Sequence, residues 1–291
     1  MYENVQVMGK GFLGKNLIDK LKELGYRVTD NASNCVNINM GGLVGGIGMN
    51  RDRPAEMFWI NSKLCNERLH WASMIKNTKY IGMHCGCSYP DGINEPMKEH
   101  MLHEGLPEKN VTPFAMAKRA NIIMAQAYRK QYGFNAISLI GGNCYGEHDY
   151  FDEEHAHVIP SMIMKIHKAK EAKQKVVTFW GSGYPIRDFI FAEDMAEGII
   201  QAMEKYDKPE PLNIASGKGI SIRKLATMIR EIADYDGKIY WDATKPDGQA
   251  VKVFCTERME EELEWKPKVG LREGLERTWR WYCENKTSDE A

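Results

Sequence analysis

The sequence predicts an α/β fold in which helices cover both faces of an open, mostly parallel sheet, followed by a smaller C-terminal lobe. Three observations lead to this fold class. A short apolar strand runs through a glycine loop into an amphipathic helix, strands and helices then alternate, and this alternation loosens from Tyr150 onward. At 291 residues the chain can hold a sheet domain, placed at 1–150, and a second lobe at 151–291. Strand and helix returns to the sheet are expected from 176–215.

The first elements are justified by their apolar spacing. Residues 5–8 are predicted as a strand, and the helix over 12–24 places leucines at three- or four-residue intervals on one face. Two further strands are predicted at 26–30 and 35–39. Because a parallel crossover needs about a dozen residues, the usual helix between these two strands is expected to be absent.

The later elements alternate in the same way. In chain order they are predicted as helix 55–75, strand 79–83, helix 113–132, strand 135–140, helix 158–170, strand 175–180, helix 193–205, strand 211–214, helix 221–234 and helix 271–285.

Composition gives no support to several classes of partner, although local basic sites remain open. Lys plus Arg number 39 and Asp plus Glu 40, so the net charge of -1 gives no reason to expect nucleic acid or an anionic membrane. The start of the chain lacks a signal-peptide pattern, and no apolar run approaches the length of a membrane span. We expect a soluble cytoplasmic protein. The seven cysteines lack zinc-type spacing, so no metal site is predicted.

A glycine loop follows the first strand and opens the first helix. Its G-x-G-x-x-G residues are Gly9, Lys10, Gly11, Phe12, Leu13 and Gly14. In this strand-loop-helix context the loop predicts a modified Rossmann domain, whose helix N-terminus would bind a dinucleotide pyrophosphate. Asp30 could bind a ribose 2′-hydroxyl and favours NAD, whereas Lys10 could meet the 2′-phosphate of NADP. The choice between these cofactors stays open, and a glycine turn without a dinucleotide is the alternative.

Several motifs occur in the order typical of one enzyme family. They are Val44-Gly45-Gly46-Ile47, Cys85-Gly86-Cys87-Ser88-Tyr89-Pro90, residues 112–118, Asn143-Cys144-Tyr145-Gly146, His157-Val158-Ile159-Pro160, residues 179–189 and Lys245-Pro246-Asp247-Gly248. Together they resemble the GDP-L-fucose synthase family, GDP-4-keto-6-deoxymannose 3,5-epimerase/4-reductases of the extended short-chain dehydrogenase/reductase group. The resemblance extends from about Val5 to Tyr282 and fails between Asp30 and Cys35, where the family has a longer connection.

This resemblance implies an acid/base pair. A cysteine and a histidine of the family invert C3 and C5 beside a C4 ketone, and the matching residues are Cys87 and His157. Both residue types ionise near neutral pH, as removal of a proton next to a carbonyl requires. The structural alternatives are a buried inert thiol for Cys87, and a helix-capping or core histidine for His157.

The reductase half of the resemblance is incomplete. The family's Ser/Thr, Tyr and Lys match Cys85, Phe114 and Lys118, so two hydroxyl groups are missing. Spacing of i, i+4 puts the last two residues on one helix face, and Lys118 would still contact the nicotinamide ribose. Phe114 cannot donate a proton to O4. Since general acid catalysis contributes about 10²–10⁴-fold, reduction is expected to be impaired unless Cys85 or a water substitutes.

The resemblance also implies contacts to a nucleotide-diphosphate sugar, from Asn143, His157, Trp180, Arg187 and Lys245. Arg and Lys suit a diphosphate, and an indole can cover a sugar or base face. A surface ion pair of Arg187 with Asp188 and a core position for Trp180 are the structural alternatives.

Three functional explanations are left open by the sequence. The chain is an epimerase without net reduction, a competent enzyme trapped by an engineered Tyr-to-Phe change, or a catalytically silent sugar-nucleotide binding protein. If the family's assembly carries over, the two long helices, 55–75 and 113–132, form a four-helix bundle in a homodimer.

Overall fold

The structure is a computed structural model that describes residues 3–152, 156–245 and 247–285. Its strands are β1 (Asn4–Met8), β2 (Arg27–Val28), β3 (Val36–Asn39), β4 (Lys79–Cys85), β5 (Ala136–Gly141), β6 (Asn143–Tyr145), β7 (Val176–Trp180), β8 (Ile186–Phe191), β9 (Leu212–Ile214), β10 (Gly219–Ser221), β11 (Lys238–Asp242) and β12 (Val251–Lys252). Its α-helices are α1 (Phe12–Glu23), α2 (Ile47–Asp52), α3 (Pro54–Ser73), α4 (Thr112–Tyr132), α5 (Val158–Glu171), α6 (Ala192–Lys205), α7 (Ile222–Ile232), α8 (Glu257–Leu263) and α9 (Leu271–Asn285).

The predicted fold class is confirmed. Six strands form one parallel sheet in the order β2-β1-β3-β4-β5-β9. Its inner strands β3, β4 and β5 are buried almost throughout, as expected for a parallel sheet covered on both faces. Helices α3 and α4 pack together on the sheet, and α1 packs against α6.

The predicted short link between the second and third strands is also present. Residues 29–35 join β2 to β3 without a helix, and these two strands lie on opposite sides of β1. Strand β2 comprises only two paired residues, fewer than the five predicted at 26–30. Strand β2 is the edge strand of the sheet, next to β1, whose C-terminal end leads into the glycine loop.

One difference between the C-terminal part and the sequence prediction concerns the placement of a predicted strand. The predicted strand 175–180 is present as β7, but it pairs with β11 in a separate two-stranded sheet. The expected return to the main sheet over 176–215 is made by α6 and β9 instead. The burial pattern gives the reason, since β7 alternates exposed and buried residues and therefore covers a core with one face only.

A second small sheet brings later residues to the carboxyl end of the main sheet. Strand β8 pairs with β10, β12 and β6. The sequence analysis predicted none of these four strands, nor helices α2 and α8, because most are too short to show a periodic pattern. No helix in the described residues is long and apolar enough to cross a membrane.

Candidate active site

The glycine loop has the close backbone packing that a dinucleotide site requires. Gly9 has a φ of +100°, and a Cβ atom there would lie 2.7 Å from the amide nitrogen of Gly41. A Cβ on Gly14 would lie 1.8 Å from the carbonyl oxygen of Gly9. Helix α1 begins at Phe12 without a side-chain cap, so its first N–H groups can bind phosphate oxygens. These residues fit a dinucleotide pyrophosphate.

The two side chains that gave opposing cofactor signals form a pair. Lys10 Nζ lies 3.4 Å from Asp30 Oδ1, and both side chains are exposed. Each charge is therefore offset by the other at the expected position of the adenosine ribose. Tyr150 lies across the same loop, since a Cβ on Gly11 would come within 2.7 Å of its hydroxyl oxygen.

Helix α4 places the Lys118 side chain in the interior of the protein, beside the ring of Phe114. The Lys118 side chain is 5% exposed, and its Nζ is 3.5 Å from both the Met83 carbonyl oxygen and Cys65 Sγ. The same Nζ lies 6.0 Å from the centre of the Phe114 ring, as the i, i+4 spacing predicts. Phe114 is buried, and its ring, which cannot donate a proton, is the group beside the Lys118 ammonium.

Polar groups around Lys118 are incompletely satisfied. Within the described residues, Asn61 Oδ1, Ser88 Oγ and both ring nitrogens of His84 are buried without a hydrogen-bond partner. A Cβ on Gly42 would lie 2.7 Å from Asn61 Oδ1 and 3.2 Å from Lys118 Nζ. A ribose hydroxyl group could satisfy such atoms, so the pocket fits the nicotinamide side of a dinucleotide.

The sequence analysis missed His84, which ends the buried run of β4 just before Cys85. Burial lowers the pKa of His84 well below its ordinary value, and the charge of Lys118 lowers this pKa further. The imidazole is therefore neutral at physiological pH. A histidine in an otherwise apolar strand was the available signal.

The two cysteines of the C-x-C segment lie where β4 ends. A tight turn over Gly86–Ser88 follows Cys85 and leaves Cys87 partly exposed. The space around Cys87, near His157, Arg187 and Lys252, is called the cleft below. Gly86 is needed because a Cβ there would lie 2.3 Å from a ring atom of Phe254. The turn therefore holds both thiols at one end of the sheet.

The pKa values of the two thiols are shifted in opposite directions. A hydrogen bond from Cys85, then the charge and hydrogen bond of Lys252 and the charge of His157, lower the pKa of Cys87 well below the ordinary thiol value, although burial opposes them. The hydrogen bond to Cys87 and burial raise the pKa of Cys85 well above that value. Cys85 therefore stays protonated and donates to a Cys87 thiolate, which favours a reactive Cys87 over the inert-thiol alternative.

His157 is brought to the same cleft from the start of α5. Its side chain makes no capping hydrogen bond to the helix and is exposed to the cleft, so neither the capping nor the core alternative applies. The surrounding protein nevertheless lowers the pKa of His157, while the charge of Cys87 raises it. Cys87 and His157 are 70 positions apart in the sequence, and the structure brings them close enough for their charges to interact, as the motifs that assigned them to one reaction require.

Lys252 is the residue of this cluster that the sequence analysis missed. Its Nζ lies 3.2 Å from Cys87 Sγ. It belongs to β12, a strand of two residues, and its register partner on β8 is Arg187. A single lysine in so short a strand gives no pattern, and its distance of seven residues after Lys245 was the available signal.

The alternative of a surface pair between Arg187 and Asp188 is wrong. Asp188 is fully buried and accepts hydrogen bonds from the amides of Ser216, Gly217 and Phe254 and from the Ser216 hydroxyl group. The neighbouring Arg187 is half-buried, and its pKa is lowered by burial while the charges of Cys87 and Asp247 raise it. Arg187 is thus a cation near Cys87, and Asp188 a structural carboxylate that supports the strand.

Asn143 is partly committed to the scaffold. Its side-chain nitrogen donates to the Asp188 carbonyl oxygen at 2.7 Å, and its strand β6 pairs with β8. This hydrogen bond fixes the orientation of the amide at the carboxyl end of the sheet.

Trp180 is not the core aromatic residue of the alternative interpretation. Its side chain is 66% exposed at the end of β7. The Nζ atoms of Lys165 and Lys245 each lie 5.6 Å from its ring centre. The indole and these two cations form an open platform suited to an anionic ligand that carries a flat ring or sugar face.

Comparison with known proteins gives a consistent set of relatives. A family model described as "NAD dependent epimerase/dehydratase family" matches residues 30–215. "Probable GDP-L-fucose synthase 1" of Oryza sativa subsp. japonica is 37% identical over 245 residues, which cover 83% of this chain and 74% of the relative.

The solved structures that resemble this chain are also enzymes named for GDP-linked sugars. The "GDP-6-OMe-4-keto-L-xylo-heptose reductase" of Campylobacter jejuni superposes with a TM-score of 0.88 at 25% identity and covers 97% of both chains. The "GDP-mannoheptose C4 reductase from Campylobacter jejuni with NADP bound" has a TM-score of 0.85 at 25% identity, covering 96% of this chain and 98% of that one.

Proposed function

The chain belongs to the GDP-L-fucose synthases within the NAD dependent epimerase/dehydratase family, and from this premise we propose that it epimerises a GDP-4-keto-6-deoxyhexose. Cys87 and His157 act as the base and acid at C3 and C5. NADP or NAD is the cofactor, and reduction at C4 is impaired or absent because of Phe114 and Cys85.

The convergence of Cys87 and His157 carries this proposal. Each residue affects the ionisation of the other. A thiolate and an imidazole in one cleft can remove a proton from a carbon next to a ketone and return one to it. A protein that only binds sugar nucleotides has no need for a thiol with a lowered pKa.

Each epimerisation is a balanced pair of proton transfers. The Cys87 thiolate takes the proton from the carbon, and the C–H electrons move into an enolate on the C4 carbonyl group. His157 in its protonated form, which its lowered pKa makes the minority form at neutral pH, then donates a proton to the other face of the same carbon, which inverts it. The neutral imidazole and the Cys87 thiol afterwards exchange protons with solvent and return to their starting states.

The reductase half depends on a cofactor that supplies hydride to C4. The glycine loop fits its pyrophosphate, and Lys118 with the unsatisfied groups around it fits its nicotinamide ribose. The oxygen at C4 must also receive a proton. Phe114 cannot provide it, and Cys85 is held as donor to Cys87, so we propose a reduction slowed by about 10²–10⁴-fold.

The remaining cations support a diphosphate substrate. Trp180 between Lys165 and Lys245 suits the sugar nucleotide. Arg187 is a cation near Cys87, and Asn143 lies on β6, which pairs with the strand of Arg187. The three relatives described above are named for GDP-linked sugars, which supports GDP as the nucleotide.

Solvent deuterium exchange tests the proposal directly. The purified protein, incubated in D₂O with a GDP-4-keto-6-deoxyhexose, is expected to place deuterium at C3 and C5, as read by mass spectrometry and NMR. No incorporation above the spontaneous rate would contradict an epimerase and favour the silent binding protein. Incorporation without NADPH consumption would support epimerisation without reduction.

C4 reduction as the main activity is a second candidate, because both solved relatives described above carry reductase names. Its support in this chain is the retained glycine loop and Lys118. Rapid NADPH oxidation by the unaltered chain would favour it over the redox-impaired enzyme.

We also propose a homodimer formed through α3 and α4. These helices pack together and carry large apolar side chains on their exposed surfaces, namely Phe58, Trp59, Trp71, Ile123 and Tyr132. Such a patch is typical of an interface between subunits. Light scattering is expected to give twice the mass of the chain, and Trp59→Glu is expected to shift it toward the monomer; a monomeric unaltered protein would contradict this assembly.

A further inference from the structure

Lys252 enters the cleft next to the reactive thiol. Its ammonium nitrogen lies 3.2 Å from Cys87 Sγ, although 165 residues separate the two in the sequence. Strands β12 and β8 hold it in register with Arg187, and its side chain is half-buried. A charge-assisted hydrogen bond of this kind is stronger than a neutral one, and partial burial reduces its screening by solvent.

We propose that Lys252 is the positioning residue that keeps Cys87 as a thiolate, through an ammonium–thiolate pair, and so assigns the role of proton-removing base to Cys87. The inference rests on the proposed epimerase function for its catalytic meaning. Lys252 itself need not touch the reacting carbon.

The other groups that face the sulfur cannot replace this pair. Cys85 donates a hydrogen bond but no charge. The charges of Arg187 and His157 act on the same thiol, while Arg187 donates instead to the Ile186 carbonyl oxygen at 2.8 Å. Lys252 combines a full positive charge with a hydrogen bond to the sulfur. Its removal would leave the thiolate partly buried and short of its main counterion.

The pair also accounts for the return of the enzyme to its starting state. When Cys87 accepts a proton from the substrate, the ammonium of Lys252 loses its counterion. The ammonium therefore favours loss of that proton to solvent, which restores the thiolate. Proton removal by Cys87 should consequently be followed by exchange with solvent in each cycle.

The ionisation of Cys87 can be measured without any substrate. The full-length protein is alkylated with iodoacetamide across a pH series, and the Cys87 peptide is quantified by mass spectrometry. Lys252→Met is expected to move the profile to higher pH and to slow alkylation on its acidic limb at least about tenfold, a loss equivalent to one charge-assisted hydrogen bond. Lys252→Arg should retain most of the native rate. Lys266→Met, which removes an exposed lysine between α8 and α9, is the matched control and should leave the profile unchanged.

An unchanged Cys87 profile in Lys252→Met would overturn the inference. If that variant does not fold, Lys252→Gln removes the charge but keeps a hydrogen-bond donor, and the same two outcomes apply. The pH profile of deuterium exchange should move with the alkylation profile, which a purely structural lysine would not cause. If alkylation shifts but the native protein exchanges no deuterium, the ion pair is supported and the proposed epimerase function is the part that fails.

Discussion

At the end of β4, Cys87 is surrounded by a thiol donor, two cations and an imidazole, whereas on α4 Lys118 faces the unreactive ring of Phe114. Cys85 interacts with both regions. The charge of Lys118 acts on its thiol, and this thiol also donates a hydrogen bond to Cys87. In the proposed mechanism, proton transfer at carbon and proton delivery to O4 therefore use different side chains. One half of a two-step active site can therefore lose its donor while the other half keeps its groups.

Of the variants proposed to test this comparison, Cys87→Ser is expected to have the largest effect on the rate of deuterium exchange. A serine hydroxyl group is not ionised at neutral pH, so deuterium incorporation at C3 and C5 should fall by about 10²–10⁴-fold. NMR of the recovered sugar nucleotide measures the loss. Cys283→Ser, in α9, is the control and should exchange at the native rate. Exchange that survives in Cys87→Ser would remove Cys87 from the reaction and with it the distinction between the two regions.

Phe114→Tyr tests the other side of the comparison. The new hydroxyl group would project from the face of α4 that carries Lys118 and could protonate O4, so C4 reduction should increase by about 10² or more. NADPH oxidation with the keto-sugar nucleotide measures the change. Phe114→Leu, which supplies no proton donor, should stay at the native rate. Fast reduction by the unaltered chain, with no gain in Phe114→Tyr, would show that the redox half is already complete.

Cys85→Ala is expected to have a smaller effect, because it removes one hydrogen bond from the thiolate and leaves Lys252 in place. Since the hydrogen bond from Cys85 lowers the pKa of Cys87, its loss should raise that pKa. The rate of exchange rises with pH as Cys87 ionises, so the rising limb should move to higher pH and the rate on it should fall by about tenfold or less.

Cys85→Ser keeps a donor and should stay close to the native profile. A pH–rate series of deuterium exchange for both variants provides the measurement. Equal profiles for Cys85→Ala and the native protein would mean that Cys85 does not support the thiolate and belongs to neither region.

Local patterns in the sequence were sufficient for much of the fold. The leucine spacing of α1, the glycine loop and the long helices α3 and α4 were predicted to within two residues at each end. Strands β10 and β12 were not, because two or three residues have no periodicity and their pairing depends on partners distant in the chain. The pairing of β7 with β11 outside the main sheet could not be read from the sequence for a related reason, since a strand's own residues do not identify its neighbour.

For the site, the sequence by itself determined the chemistry of the parts, and the tertiary structure decided their partners. The motif order named Cys87 and His157, and helix periodicity placed Lys118 beside Phe114, because an i, i+4 relation is local. The contact of Lys252 with Cys87 arises only when β12 pairs with β8. It spans 165 residues, and the free energy that creates it comes from the packing of whole strands, which no local pattern of residues records.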